Sequence, residues 1–475
     1  MTKLMTGAAS PSPQSAARDP RPASLLGRFV FYCALLLVAA SAVPYGSIEP
    51  WWEAAFVSAA LALGCLWAVE AVLTGGWGLG RRDLLLLLPA VALTLFALFQ
   101  TLPLGAAAGA ISADPFETRL FAAKVAALTL LGAILLRFGR ARGRLHAMVI
   151  AVVGVGAASA LFGILRQATQ QEGEGFLLPH LVRGEGYAQF ISRNQFCFMM
   201  EMALGPALCL AAARWGRPGW RLFYLAALLP IGAALILANS RGGVLTLLCQ
   251  LLFFAAVAAP SLLAARGGRE TGPRVGGGWR SALGSAAARV GLSTALAAAV
   301  VLAVVWVGGE PVVSNLSTVP EELGEMEQMI PRMNTSRADI WRSTWKLFAE
   351  HPVAGVGFGG YWTAITRHHD ASGDFVPQQA HNDYLDLLAG GGIVGAGLVV
   401  WLVLSVLRRA RAALAGGGTF RRAACLGALV GLFGVAVHSL VDFGLHITVN
   451  AALAVVLSVV AAVDVPEEGA AAPYA

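Results

Sequence analysis

The stretch Leu145–Arg166, LHAMVIAVVGVGAASALFGILR, is apolar apart from His146, Ser159 and the terminal Arg166, and Arg140, Arg142 and Arg144 stand immediately before it. A soluble helix of this length would need a polar face, which the pattern does not supply. About 20 such residues suffice to cross the hydrocarbon core of a bilayer, so the stretch reads as a membrane span with basic residues at one mouth. Working outward from it, comparable runs recur at 27–43, 51–73, 84–102, 118–137, 193–213, 220–238, 242–264, 290–308, 391–407, 421–440 and 446–463. With 145–166 they make twelve expected spans. The composition agrees, since 57% of the 475 residues are hydrophobic and 13% charged, against about 25% charged in ordinary soluble domains. The fold class expected is all-α, a polytopic helical membrane protein, and a single water-soluble fold is excluded. Abundant Gly (55 residues) and Ala suit close helix packing in a membrane.

The net charge of +7 is spread over short loops and explains itself as topology. Arg81 and Arg82, then Arg137 to Arg144, then Arg214, Arg217 and Arg221, then Arg266 to Arg289, then Arg408 to Arg422 fall in alternate connections, while the loops near 44–50 and 103–117 carry no Lys or Arg. Cytoplasmic loops are enriched in basic residues, so the basic side and both termini are expected in the cytoplasm and the other side outside. Nucleic acid is not an expected partner, because no soluble basic face exists. The six cysteines (Cys33, Cys65, Cys197, Cys209, Cys249, Cys425) lie in apolar runs without C-x-x-C spacing, so neither a disulfide framework nor a zinc site follows. No metal and no cofactor is expected.

Domain organisation follows from the same reading. Residues 1–25, rich in Pro and basic residues, form a cytoplasmic tail that cannot bury a core; 26–308 is a transmembrane bundle of about nine helices; 309–390 is one large outer loop; 391–463 returns to the membrane; 464–475 is a second cytoplasmic tail. In the loop, Ser336 and Asp339 have capping-box spacing ahead of Ile340, Trp341, Thr344, Trp345, Leu347 and Phe348, which predicts an amphipathic helix over about 337–350 ended by Pro352. Its aromatic face is expected on the membrane surface or the bundle.

The informative residues are cations on the side where topology gives no reason for them: Arg119, Lys124, Arg166, Arg183, Arg193, Arg241, Arg332, Arg337, Arg342, Lys346 and Arg367. Charges at membrane depth are costly and face polar cavities or pair with anions. Arg119, Arg166, Arg183 and Arg367 are read as snorkelling to headgroups. Arg241 differs: it sits in Asn239-Ser240-Arg241-Gly242-Gly243, a very short turn whose two glycines permit close backbone approach. Arg193 opens a helix in Ser192-Arg193-Asn194-Gln195-Phe196, where backbone N–H groups already favour an anion. Arg337 begins the loop helix, an unfavourable place for a cation unless an anion joins it. His381, in Gln379-Ala380-His381-Asn382-Asp383-Tyr384-Leu385, is a candidate general base; the alternative is a helix cap at Asn382 or Asp383 with His381 incidental. His438, Asp442 and His446 mark the last outer turn and read as a structural network, with His438, Asp442, Asn382 and Arg342 as supporting candidates for the site. Gly355-Val356-Gly357-Phe358-Gly359-Gly360 lacks the strand-turn-helix context of a dinucleotide loop and reads as a tight turn.

Four blocks, 191–204, 239–243, 336–357 and 380–395, make the chain resemble the O-antigen ligase and polymerase superfamily of bacterial envelope glycosyltransferases over roughly 185–400. Gln195, where many relatives have His, and the run Gly390-Gly391-Gly392 depart from the common pattern. The resemblance implies a metal-independent enzyme that takes a glycan from an undecaprenyl diphosphate carrier at the outer face of the bacterial inner membrane, with Arg241, Arg337 and Arg193 holding the diphosphate and His381 deprotonating the acceptor hydroxyl. The acceptor would be lipid A-core for a ligase or another lipid-linked repeat for a polymerase. A protein O-oligosaccharyltransferase and a transporter or flippase of an anionic lipid or solute are the alternatives.

Overall fold

The computed structural model of the protein describes residues 24–103, 109–171, 175, 177–184, 186–213, 215, 218–262, 337–369 and 376–465. In chain order its helices are α1 (Leu25–Ser41), α2 (Pro50–Thr74), α3 (Arg81–Gln100), α4 (Pro115–Phe138), α5 (Arg142–Thr169), α6 (Arg193–Ala213), α7 (Pro218–Leu237) and α8 (Arg241–Phe253), which runs on through a π turn to Leu262. After these come α9 (Arg337–Glu350), the short α10 (Tyr361–Ile365), α11 (Asp383–Gly416), α12 (Thr419–His438) and α13 (Thr448–Ala462). Among the described residues nine helices are long and apolar enough to cross a membrane, and α1 and α13 are shorter apolar helices beside them. These eleven fall on eleven of the twelve expected spans. The twelfth, 290–308, lies outside the described residues, as do Ser336, Arg332 and loop residues 309–336. The protein is thus an all-α polytopic membrane protein.

Local chemistry sets the helix starts. Pro50 and Pro115 stand in first turns, where their missing N–H costs nothing; Asp114 accepts from the Phe116 and Glu117 amides, and Ser240 accepts from Gly243 N at 3.0 Å. α6 is the axis of the bundle. Almost every residue on it is buried, and it packs closely on α12, where a Cβ on Gly427 would come within 2.6 Å of Pro206 Cα. Small residues at such a crossing let dispersion contacts hold helices that gain little from the hydrophobic effect in lipid. Rim helices leave Leu84, Leu85 and Leu88 of α3 and Leu229 of α7 exposed, as lipid-facing residues must be.

The two ends of the bundle differ. At the arginine-rich end Asp83 receives Arg140 and, at 3.4 Å, Arg409, which also lies 3.1 Å from Asp464. Arg421 donates to the Val460, Ala461 and Val463 carbonyls at 2.8–2.9 Å, placing a cation at the negative end of α13. The arginine-poor end carries the turns 42–49, 238–240 and 439–447 and helix α9.

Two details refine the expected organisation. α11 begins at Asp383, eight residues before the span expected from hydropathy, and is broken at Gly392, whose φ is +59°. The cause is the loop 352–360, which threads against the break: Ile393 N donates to Pro352 O (2.9 Å), Val356 N to Ala389 O (2.9 Å), and the Gln100 amide donates to the carbonyls of Ala354 (2.6 Å) and Gly390 (2.9 Å). The glycine run is therefore a tight turn, with Gly355 and Gly357 at φ +67° and +90°. Helix α9 occupies the expected residues, but its buried side is Ile340, Ser343, Thr344 and Leu347, with Thr344 bonded to Tyr361 (2.8 Å), while Trp345 is exposed.

Candidate functional site

Asp442 is the hub of the arginine-poor end. Its side chain is 4% exposed, yet its carboxylate meets residues from three distant parts of the chain. Oδ2 accepts from Asn194 and, at 3.1 Å, from Arg337 Nη2; Oδ1 accepts from the Phe443 amide at 2.8 Å and lies 3.4 Å from His381 Nδ1. Asn194 in turn accepts from Ser240 at 2.8 Å. Since Arg193 precedes Asn194 and Arg241 follows Ser240, these bonds bring together the segments that bear Arg193, Arg241, Arg337 and His381. The N-termini of α6, α8, α9 and α11 meet here, so four positive dipole ends add to the guanidinium charges. Burial alone pushes the Asp442 carboxyl up. The His381 ring, the Phe443 amide and the Arg337 charge outweigh it, and the carboxyl lies below its ordinary range.

His381 is held in place from both sides. Its φ is +50°, a region sparsely used by residues other than glycine and maintained only where the surroundings enforce it. Before it, the Ala380 amide donates to both oxygens of buried Asp386 at 3.0 and 3.1 Å. After it, Asn382 caps α11, accepting from the Tyr384 and Leu385 amides and donating to Leu440 O at 2.9 Å. Asp383 N donates to Ser439 O at 3.0 Å, and Ser439 Oγ donates to Asp383 at 2.6 Å. The turn is thus fastened to the α12–α13 turn that carries Asp442. The His381 ring meets Phe443 edge to face at 4.9 Å. Nδ1 is buried against Asp442, in a close polar contact that is not an aligned hydrogen bond, and the side chain as a whole is 38% exposed. A neutral imidazole with Nδ1–H toward the carboxylate leaves Nε2 free to accept a proton.

Arg193 and Arg241 are exposed at the first positions of α6 and α8. The glycines after Arg241 realise the close approach their spacing allows: a Cβ on Gly242 would lie 2.6 Å from His438 Nε2, and one on Gly243 2.7 Å from Cys197 Sγ. Arg337 uses one nitrogen on Asp442 and keeps 46% of its side chain exposed. Of the arginines on these helix starts, Arg337 is the one bonded to Asp442.

Other expected candidates are placed differently. Arg342 pairs with Asp339 on the exposed side of α9 (2.8 Å). Asn382 is the helix cap, as the alternative reading had it. His438 is fully buried beneath the cluster, 2.7 Å from Glu201 through Nδ1 and stacked on Phe198 at 4.2 Å; it supports α8 from below. Arg166 does not snorkel: it is buried and donates to Gln170 (2.7 Å), Ala188 O (2.7 Å) and Val182 O (2.6 Å), because the loop after α5 folds back over it. Lys124 is neutralised by Glu53 (2.5 Å) and donates to His446 O (2.7 Å). Arg119, Arg183 and Arg367 are exposed. Asn194, Ser240 and Glu201 were not singled out from sequence; Glu201 could have been, as a lone carboxylate in an apolar helix.

Among the described residues no three His, Cys, Asp or Glu side chains gather as metal ligands. What the end offers is a group of arginines at helix starts beside a histidine backed by a carboxylate, on a bundle of membrane-spanning helices. Residues 225–400, which include Arg241, Arg337 and His381, match the family model described as O-antigen ligase, and over this segment the chain is similar to that group. No curated protein matches the chain. The family points to glycan transfer of the O-antigen ligase kind, on lipid-linked glycans in a bacterial membrane.

Proposed function

We propose that the chain transfers a glycan from an undecaprenyl diphosphate carrier to an acceptor hydroxyl at the periplasmic face of the inner membrane. Both termini and the arginine-rich end then lie in the cytoplasm, with residues 1–25 and 464–475 as tails, and 309–390 is a periplasmic region between membrane segments 26–308 and 391–463. The observation that carries the reading is the meeting of Arg337 and His381 on Asp442, beside the helix starts that bear Arg193 and Arg241.

The chemistry follows from that layout. The carrier's tail dissolves in lipid and its diphosphate stays at the interface, where guanidinium groups and helix N-termini bind oxyanions. His381 Nε2 takes the proton from the acceptor hydroxyl as its oxygen bonds to the anomeric carbon. The bond from that carbon to the phosphate oxygen breaks, and the electron pair leaves with undecaprenyl diphosphate. Arg193, Arg241 and Arg337 stabilise the charge that builds on the leaving group, where electrostatic catalysis acts. Asp442 orients His381 and stabilises the imidazolium it becomes. The donor is already activated, so the reaction needs neither nucleotide nor metal, and transfer should persist in excess chelator.

The test is complementation of a deletion strain. His381→Ala and Arg241→Ala should each abolish envelope glycan assembly at unchanged membrane levels, and full complementation by both would refute the assignment. The deletion phenotype also identifies the acceptor: free core with accumulated lipid-linked polymer means ligase, and core bearing single repeats means polymerase.

A further inference from the structure

At the same end of the bundle, the turn into α2 and the loop after α5 border an open cleft of about 520 Å³ lined by Tyr45, Glu49, Trp51, Trp52, Pro179 and His180, among others. This is within the range of small-ligand clefts, roughly 300–1,000 Å³. Trp51 and Trp52 have ring centroids 3.6 Å apart at 30°, so the two indoles lie face over face as one aromatic stack with a single outer face, not a cage. Glu49 stands over its edge, accepting from the Trp51 indole N–H at 3.0 Å and lying 3.7 Å from His180 Nε2. A flat aromatic face with a carboxylate and an imidazole at its rim suits a ring with an apolar C–H face and peripheral hydroxyls, which is the form of a pyranose.

Both walls are deliberately built. Tyr45, Gly46 and Ser47 all have positive φ (+53°, +69° and +55°), a conformation that costs energy at the two non-glycine positions. The turn is kept by Val449 N donating to Gly46 O (3.2 Å), Ser47 Oγ to Ser41 O (2.9 Å) and His180 N to the Tyr45 hydroxyl (3.2 Å). The opposite wall rests on buried Arg166, which bonds to the Val182 and Ala188 carbonyls, and on Gln170, which donates to Leu181 O at 2.5 Å. A relay of contacts joins helix α2 at the cleft to the cluster. Glu53, next to Trp52, bonds Lys124 and Thr448 (3.3 Å); Lys124 holds the His446 carbonyl, and His446 Nε2 lies 3.8 Å from Asp383, two residues after His381.

We infer that this aromatic cleft is a saccharide-binding subsite that seats a sugar ring of the glycan while its reducing end, or the acceptor hydroxyl, lies at His381. The inference rests on the glycan-transfer reading above. A membrane phospholipid fits less well, since Glu49 repels its phosphate and the stacked indoles do not surround an ammonium.

The experiment uses the full chain purified in detergent and three probes titrated by calorimetry: polymer glycan freed from its carrier by mild acid, lipid-free core oligosaccharide, and undecaprenyl diphosphate. Trp52→Ala should weaken one of the two glycans by about tenfold, the scale of a lost aromatic contact, with undecaprenyl diphosphate binding within twofold of wild type; which glycan suffers tells whether donor or acceptor is seated. Glu49→Gln, which keeps shape and volume, should weaken the same glycan and guards against misfolding of the Trp variant. Unchanged affinity for both glycans in both variants, or no glycan binding by the wild type, overturns the subsite and leaves the transfer reading standing. Arg241→Ala with unchanged undecaprenyl diphosphate affinity overturns the transfer reading instead.

Discussion

Replacing Asp442 with Asn keeps the volume of the hub and removes its charge. In the wild type the carboxylate accepts from Asn194, Arg337 and the Phe443 amide and faces His381 Nδ1. An Asn carbonyl at the Oδ1 position would turn the amide against the donors Asn194 and Arg337, whereas a carbonyl at Oδ2 keeps both of those bonds and turns the N–H groups toward the Phe443 amide and His381 Nδ1; the two donors favour the second arrangement. An N–H facing Nδ1 selects the tautomer with the proton on Nε2, and the base is lost. Losing such an orienting carboxylate, or the base it serves, costs roughly 10²–10⁴ in rate. Stability should fall less, by about 1–3 kcal/mol, the scale of a lost charge-assisted hydrogen bond. Arg337 is nearly half exposed and can turn to solvent, so its share is small. The assay is turnover of purified protein on a lipid-linked donor and acceptor, with thermal unfolding in detergent and undecaprenyl diphosphate binding measured separately. The expected result is a loss of kcat of at least a hundredfold, with diphosphate binding changed only a few-fold. Turnover at the wild-type rate would show that Asp442 merely holds the turn, and would refute the coupling of carboxylate to base.

Three further outcomes follow from the same geometry. Arg241→Ala should raise the Kd for undecaprenyl diphosphate about tenfold to a hundredfold, since a hydrogen bond to a charged group contributes about 1.5–3 kcal/mol, and a calorimetric titration reads it. Gly242→Ala adds a Cβ 2.6 Å from His438 Nε2, whose ring is fixed by Glu201 and Phe198; overpacking of this sort costs about 1–3 kcal/mol, and both the unfolding midpoint and turnover should drop. The Asp442 carboxyl lies below its ordinary range, so its contribution is complete above the unfolded carboxylate pKa of about 3.9 and is lost only as pH falls further through the folded value. Asp442 should therefore add no slope to stability between pH 5 and 8, and Asp442→Asn should remove part of the wild type's loss below about pH 4 in a pH series of unfolding midpoints.

The membrane bundle was legible because bilayer thickness imposes a run length that hydropathy reads directly, and the arginine alternation gave the two ends independently. Local misfit likewise exposed Arg241 and Arg337, cations placed where neither topology nor a helix dipole explains them. Pairing across the chain was not legible. Nothing near Lys124 announces that Glu53 neutralises it, nothing near Arg166 says that its own following loop returns to cover it, and the Glu201–His438 contact joins residues far apart in sequence. These cations read as spare until the fold supplies their partners. Asn194 was hidden for a related reason: it stands beside Arg193 in an ordinary helix start, and its bond to Asp442 exists only once α6 and the α12–α13 turn meet. The early start of α11 was masked by polar residues, Asp383 and Asp386, whose partners are Ser439 and the Ala380 amide rather than solvent.

Glycan transfer by this chain depends most directly on His381 acting as the base. With purified protein, a lipid-linked donor and a hydroxyl acceptor, His381→Ala should bind undecaprenyl diphosphate within a few-fold of wild type while turnover falls by roughly 10²–10⁴, the usual contribution of a positioned general base. Transfer by His381→Ala at the wild-type rate would contradict the account.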